Sequence, residues 1–150
     1  MELKIKPLSP KIGAEIPLPS YATAGSAGMD LRACIDAPIT IQPRERVKVP
    51  TGFAIALPGP EYAAFIFARS GLGNNYGVTL PNCVGVVDSD YRGEVIVGLT
   101  NLSDEAYTIQ PGDRVAQLVI MPVAQANITV TDTLDDTERG AGGFGSTGRQ

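Results

Sequence analysis

Apolar and polar residues alternate in short runs along almost the whole chain, and Gly, Pro, Asn and Asp interrupt these runs at spacings of about ten residues. A period of two puts every second side chain on one face, as in a half-buried strand. A helix needs apolar residues three and four apart, and that spacing is nearly absent. The alternation predicts strands over 3–6, 31–33, 39–41, 47–57, 63–68, 84–87, 95–102, 106–109 and 113–122, with one short helical turn over 70–75. Between them stand the residues that turns demand, among them Pro43, Pro58-Gly59-Pro60, Pro81-Asn82 and Pro111-Gly112-Asp113. Many short strands with long connections predict an all-β chain folded as a Greek-key or jelly-roll-like β-barrel rather than a simple meander.

Two of these runs carry more than strand pattern. Along 113–122, Val115, Gln117, Val119 and Met121 share one face, while Arg114, Ala116, Leu118 and Ile120 share the other. Gln117 therefore falls in an apolar row, where its amide needs partners from a structural network or from a ligand. The apolar run ending at Val87 turns through Asp88-Ser89-Asp90-Tyr91-Arg92-Gly93 and resumes at Val95, which reads as a β-hairpin. One Asx and one Gly suffice for a turn, so a second Asp, a Tyr and an Arg exceed what folding requires. A charged hairpin tip without chemistry is the alternative. After Asn127 the apolar pattern gives way to Thr and Asp and then to Gly140-Ala141-Gly142-Gly143-Phe144-Gly145-Ser146-Thr147-Gly148. The chain thus divides into a barrel over 1–126 and a C-terminal arm over 127–150. The arm reads at face value as a loose terminus. It also has the parts of a phosphate clamp: glycines whose N–H groups converge on an anion, Arg139 as a fork and Phe144 to stack on a base.

Composition narrows the chemistry. The 150 residues contain no histidine, which removes Ser-His-Asp and Cys-His schemes and the common His metal sites together. An enzyme built from this chain would rest on a carboxylate base, on Arg and backbone N–H groups, and on a hard cation with oxygen ligands. A net charge of -4 argues against a binder of nucleic-acid backbone. Cys34 and Cys83 stand far apart in a chain that opens Met1-Glu2-Leu3-Lys4 with no signal-peptide core, and no run approaches the ~18 apolar residues of a membrane span. The expectation is a cytoplasmic protein with free thiols and no membrane or nucleic-acid partner.

Five stretches combine. They are Ala24-Gly25-Ser26-Ala27-Gly28-Met29-Asp30-Leu31-Arg32-Ala33; Ala68-Arg69-Ser70-Gly71-Leu72-Gly73, where a strand meets a helix N-terminus suited to an anion; Asn82 through Glu94; Gly112-Asp113-Arg114-Val115-Ala116-Gln117-Leu118; and the glycine-rich tail from Arg139. In order and spacing they resemble the five motifs of the homotrimeric dUTPases, the deoxyuridine triphosphate nucleotidohydrolases, over residues 20–150. Departures are mild: Val87 where the family often has Ile, and Gly73 where it often has Ala.

That resemblance implies a jelly-roll subunit in a homotrimer with three shared active sites, hydrolysing dUTP to dUMP and pyrophosphate with Mg²⁺. It removes dUTP from the DNA precursor pool and supplies dUMP for thymidylate synthesis. Asp88 matches the residue that activates water. Asn82 and the backbone of Gly85, Val86, Val87 and Asp88 match the uracil-reading hairpin, Tyr91 the aromatic under deoxyribose, and Ile96 a pocket-lining position. Arg69, Ser70, Gly71 and Gln117 match phosphate contacts. Arg139, Phe144, Gly145 and Ser146 match the arm, which would cross to a neighbouring subunit and cover base and γ-phosphate. No direct metal ligand is assigned; Asp30 is a candidate for contact through water. The residues suit this chemistry independently, because water attack on a phosphoryl group asks for an oriented nucleophile and spread charge stabilisation. A dCTP deaminase of the same trimeric fold would carry a Glu to activate water at the base, and a non-catalytic jelly-roll module would release neither pyrophosphate nor ammonia.

Overall fold

The computed structural model describes residues 1–143. Ten strands and one short helix follow in order: β1 (Lys4–Pro7), β2 (Met29–Arg32), β3 (Ile39–Ile41), β4 (Arg46–Ala56), β5 (Tyr62–Phe67), α1 (Ser70–Tyr76), β6 (Val78–Thr79), β7 (Val84–Val87), β8 (Glu94–Asn101), β9 (Tyr107–Ile109) and β10 (Arg114–Pro122). One four-stranded sheet runs β1-β4-β8-β6, a second runs β2-β10-β5-β7, and β3 pairs with β9. Every ladder is antiparallel. Both larger sheets turn apolar faces to one core: Val49, Phe53, Val95, Val97 and Leu99 from the first meet Leu31, Ile66, Val115 and Leu118 from the second. The all-β chain that the alternation predicts is thus present, its strands in antiparallel sheets. No helix of the described residues is long and apolar enough to cross a membrane.

Three local features shape the site. The long strand β4 is bent at Gly52, which takes φ +77, and its register with β8 shifts between Pro50 and Ala54. A Cβ on Gly52 would lie 2.6 Å from Cys34 Sγ, so only glycine fits there. The helix α1 ends on Gly77 at φ 66, whose N–H bonds back to the Gly73 carbonyl at 3.1 Å. Finally, the stretch 84–99 is not a hairpin. β7 pairs with β5 in the second sheet and β8 with β4 in the first. Residues 88–93 therefore arch across the core, where stacked sheets stand ~10 Å apart. Val87 and Val95 are both buried, one in each sheet, and the arch lets them enter the core from opposite sides.

The alternation also fails at one point in β10. Against β2 its register shifts between Arg114 and Ala116, two residues opposing one, which is a β-bulge. Val115, Ala116 and Leu118 are consequently all buried. Arg114, expected on the face of Ala116 and Leu118, is instead exposed and meets Asp30 on the outer side. Beyond β10, residues 124–140 are exposed and form no strand or helix, with Ile128, Val130 and Leu134 open to solvent.

Candidate active site

Those of the residues singled out by sequence that belong to the barrel gather into two clefts. The first, of about 250 Å³, opens between the end of β7 and the start of β8, and the arch 88–93 is its rim. Asn82, Gly85, Val86, Val87, Asp88, Tyr91 and Ile96 all line it. Val86, Tyr91 and Ile96 are exposed by 62%, 45% and 45%, so an apolar surface is left uncovered inside a concave site. Gly85 faces Ile66 so closely that a Cβ would stand 3.1 Å from it, which keeps the floor flat. The Tyr91 hydroxyl donates to the Glu94 carbonyl at 3.1 Å, and its ring lies over Gly93, where a Cβ would overlap the hydroxyl. Arg92 holds the arch from outside, Nη1 donating to the carbonyls of Ser89 at 2.8 Å and Tyr91 at 2.9 Å. Asp88 is exposed on the rim and takes part in no ion pair among the described residues.

Sequence reasoning did not single out Glu94. Its carboxylate accepts the Gly52 N–H at 2.7 Å, while the Gly52 carbonyl accepts from Leu8 and Ser9. The arch is thereby fastened to the bend of β4. The signal available was a carboxylate placed directly after the turn glycine, at a half-buried strand start.

The second cleft, of about 320 Å³, contains the charges: Asp30, Arg69, Ser70, Gly71, Arg114 and Gln117 line it. Arg69 is extended at φ -85 and ψ 131 just before α1, which leaves the first N–H groups of that turn free of a side-chain cap. Asp30 Oδ1 lies 3.2 Å from Arg69 Nε, and Oδ2 lies 3.2 Å from Arg114 Nη1. Gln117 donates through Nε2 to the Ala68 carbonyl at 3.0 Å, so part of its amide is spent on structure. Its Oε1 lies 3.2 Å from where a Gly28 Cβ would stand, so the small residues of 24–28 leave room for it. Nearby, burial and the charge of Asp113 push the Tyr107 phenol up from its ordinary value.

The two clefts share no lining residue. The β5–β7 register explains why: Val87 stands opposite Ala64 and Val84 opposite Phe67. Asp88 thus emerges at one end of β5 and Arg69 at the other, some six residues away along the strand, or roughly 20 Å at the rise of a strand. Arg139 lines neither cleft; it is exposed and its Nε donates to the Gly142 carbonyl at 2.9 Å. Phe144, Gly145 and Ser146 lie outside the described residues. Among the described residues no group of three or more His, Cys, Asp or Glu could hold a metal ion.

An all-β protein of two packed antiparallel sheets thus carries a cleft with exposed apolar side chains at one end of β5 and a cleft with two arginines at the other. Comparison with known proteins makes this specific. The chain belongs to the dUTPase family, whose model matches residues 14–148. Relatives bearing the name deoxyuridine 5'-triphosphate nucleotidohydrolase include one from Hahella chejuensis, 55% identical over 146 residues, covering 97% of this chain and 96% of that protein. Another, from Escherichia coli, is 47% identical and covers 99% of both. Among solved structures, the dUTPase of Staphylococcus bacteriophage 80alpha with dUPNHPP has a TM-score of 0.86 at 23% identity, covering 98% of both chains. A dUTPase from phage phi11 of S. aureus, described with a structural Mg(II) ion, has a TM-score of 0.76 at 20% identity, covering 89% of this chain and 98% of that one. These two likenesses support the fold.

Proposed function

We propose that the protein hydrolyses dUTP to dUMP and pyrophosphate at a site assembled from both clefts. The observation that carries this reading is their separation. Ring-binding and anion-binding residues predicted for one substrate lie roughly 20 Å apart along β5, too far for one triphosphate, so a complete site needs the arch of one chain and the arginine cluster of another. A closed homotrimer joined by head-to-tail contacts supplies this pairing three times.

In this site the uracil enters the cleft under the arch. There the backbone of Gly85, Val86 and Val87 with Asn82 reads its polar edge, Ile96 lines the wall, and Tyr91 packs under the deoxyribose, where a ribose hydroxyl finds no room. Asp88 orients a water and takes its proton as the oxygen attacks the triphosphate; the bond between the α- and β-phosphoryl groups breaks and pyrophosphate departs. Arg69, Ser70, Gly71 and Gln117 hold the phosphates from the neighbouring chain and take up developing charge. The arm over 127–150 crosses to a further chain, bringing Arg139, Phe144, Gly145 and Ser146 over base and γ-phosphate. Mg²⁺ would enter as a complex with the triphosphate, a hard cation suited to phosphate oxygens. Asp30 is the carboxylate that could meet its water shell. When bound, the ion would supply positive charge to offset that of the phosphates.

The test is to incubate the purified protein with dUTP, dCTP, dTTP and UTP plus Mg²⁺, following pyrophosphate and ammonia separately. Pyrophosphate from dUTP alone is expected; ammonia from dCTP would make the protein a deaminase, and neither product would make it a binding module.

A further inference from the structure

We infer that Glu94 is a positioning residue for the sugar choice of the arch: its carboxylate clasps the bend of β4 and thereby fixes the ring of Tyr91 under the deoxyribose. This rests on the proposed dUTP reading and adds to it a residue that acts through Tyr91. The need for a clasp comes from the register. β4 pairs with β8 at Pro50, opposite Ile96, and resumes at Ala54, opposite Glu94, while β1 takes up only residues 53–56, so Gly52 stands in neither ladder. Gly52 is buried, and a buried backbone N–H and carbonyl both need partners. The carbonyl accepts the N–H groups of Leu8 at 2.8 Å and Ser9 at 3.1 Å, and the N–H donates to Glu94 Oε1 at 2.7 Å. The bend has little freedom of its own, since a Cβ on Gly52 would lie 2.6 Å from Cys34 Sγ and 2.9 Å from Ile12 Cγ1. It is a fixed point to which the arch is tied.

From that point a run of hydrogen bonds reaches the rim. The Glu94 carbonyl accepts the Tyr91 hydroxyl at 3.1 Å, and the Tyr91 N–H donates to the Asp88 carbonyl at 3.2 Å. Glu94 therefore grips the β4 bend with its side chain and Tyr91 with its main chain. Gly93 between them leaves no slack, because a Cβ there would overlap the Tyr91 hydroxyl. Tyr91 is 45% exposed, so packing holds only part of its ring and the hydroxyl bond decides where the ring lies. A ring that excludes a single ribose hydroxyl has to be placed to within about 0.5 Å. The clasp depends on reach more than on charge: the Gly52 N–H asks only for an acceptor oxygen, which Gln also offers and which the shorter Asp cannot bring as far.

The test compares wild type with Glu94→Gln, Glu94→Asp and Glu94→Ala, each shown by native mass to assemble as wild type does. The kcat/KM values for dUTP and UTP are measured with Mg²⁺, and the Kd values of their non-hydrolysable α,β-imido analogues by calorimetry. Glu94→Asp and Glu94→Ala should narrow the preference for the deoxynucleotide about tenfold in both measurements, within the ~10²-fold that a misplacement of ~1 Å can cost. Glu94→Gln, which keeps the acceptor and its reach, should stay within about twofold of wild type. A merely structural Glu94 would lower the melting temperature of the Ala variant and leave both preferences unchanged, which would overturn the role. An Asp variant like wild type beside a Gln variant like Ala would overturn it too, because charge rather than reach would then matter. Should Glu94→Ala fail to assemble, Asp against Gln carries the same comparison. A wild type that prefers the deoxy analogue but releases no pyrophosphate from dUTP would defeat the hydrolytic reading, and the two Kd values would still decide the clasp; one that binds neither analogue would defeat both.

Discussion

The two clefts are built by opposite means. The arch cleft is shaped by backbone and by apolar surface: Gly85 flattens its floor, Gly93 lets Tyr91 lie down, and Glu94 anchors the rim to Gly52. Its charges stand on the rim. The cluster at the far end of β5 is shaped by charge, with Asp30 between Arg69 and Arg114 and few apolar contacts. A site of the first kind is selective because mismatched groups lose hydrogen bonds and space. A site of the second kind is strong but indifferent to the identity of the base. Neither alone would make an enzyme that distinguishes one nucleotide from the others, and the difference between them is the main thing to test.

The largest effect should come from the rim. Asp88→Asn keeps the shape and removes the proposed base, so kcat should fall by ~10²-fold or more while analogue binding stays within a few fold. Steady-state kinetics beside calorimetry measures both, and a variant retaining half its turnover would remove Asp88 from the chemistry.

Next in size is the sharing of parts between chains. If the proposed trimer holds, Asp88→Asn and a truncation ending at Glu138 should each be inactive on its own. Unfolded and refolded as an equal mixture, they can assemble sites with the arch of the truncated chain and the arm of the Asp88→Asn chain. Random assortment around a ring restores about one site in four. Hybrid trimers seen by mass but without activity would mean that arch and arm come from the same chain.

Much of this architecture was legible because β strands write their burial into a period of two. β8 is the clearest instance, with Val95, Val97 and Leu99 buried and Ile96 exposed. The short helical turn expected over 70–75 is the helix Ser70–Tyr76, which Gly77 stops. What periodicity cannot carry is the identity of a strand's partner. The runs on either side of residues 88–93 look the same whether they pair with each other or with β5 and β4, so an arch read as a hairpin. Nor does the sequence announce a bulge, which shows only in the register of Arg114 and Ala116 with β2. β6 has two residues, too few to establish any period.

A third prediction sharpens the selectivity of the arch. Tyr91→Ala removes the ring that lies over Gly93 and donates to the Glu94 carbonyl. Lost packing of about 1 to 3 kcal/mol should narrow the preference for dUTP over UTP by ~5- to 150-fold. The ratio of kcat/KM for the two nucleotides is the measurement, and an unchanged ratio in an intact trimer would show that the sugar is read elsewhere.

The smallest effect separates the clefts without touching a residue. The arginine cluster is partly exposed, with Arg114 at 46%, so added salt screens its attraction for phosphate. The uncharged deoxyuridine, held by the arch, meets no such screening. Raising the ionic strength from ~0.05 to ~0.5 M shortens the screening length from above 10 Å to about 4 Å. The Kd of α,β-imido-dUTP should then rise several-fold at fixed Mg²⁺, while the inhibition constant of deoxyuridine changes little. Parallel salt slopes for the two ligands would mean that the phosphates bind away from the cluster, and the division of labour between the clefts would be lost.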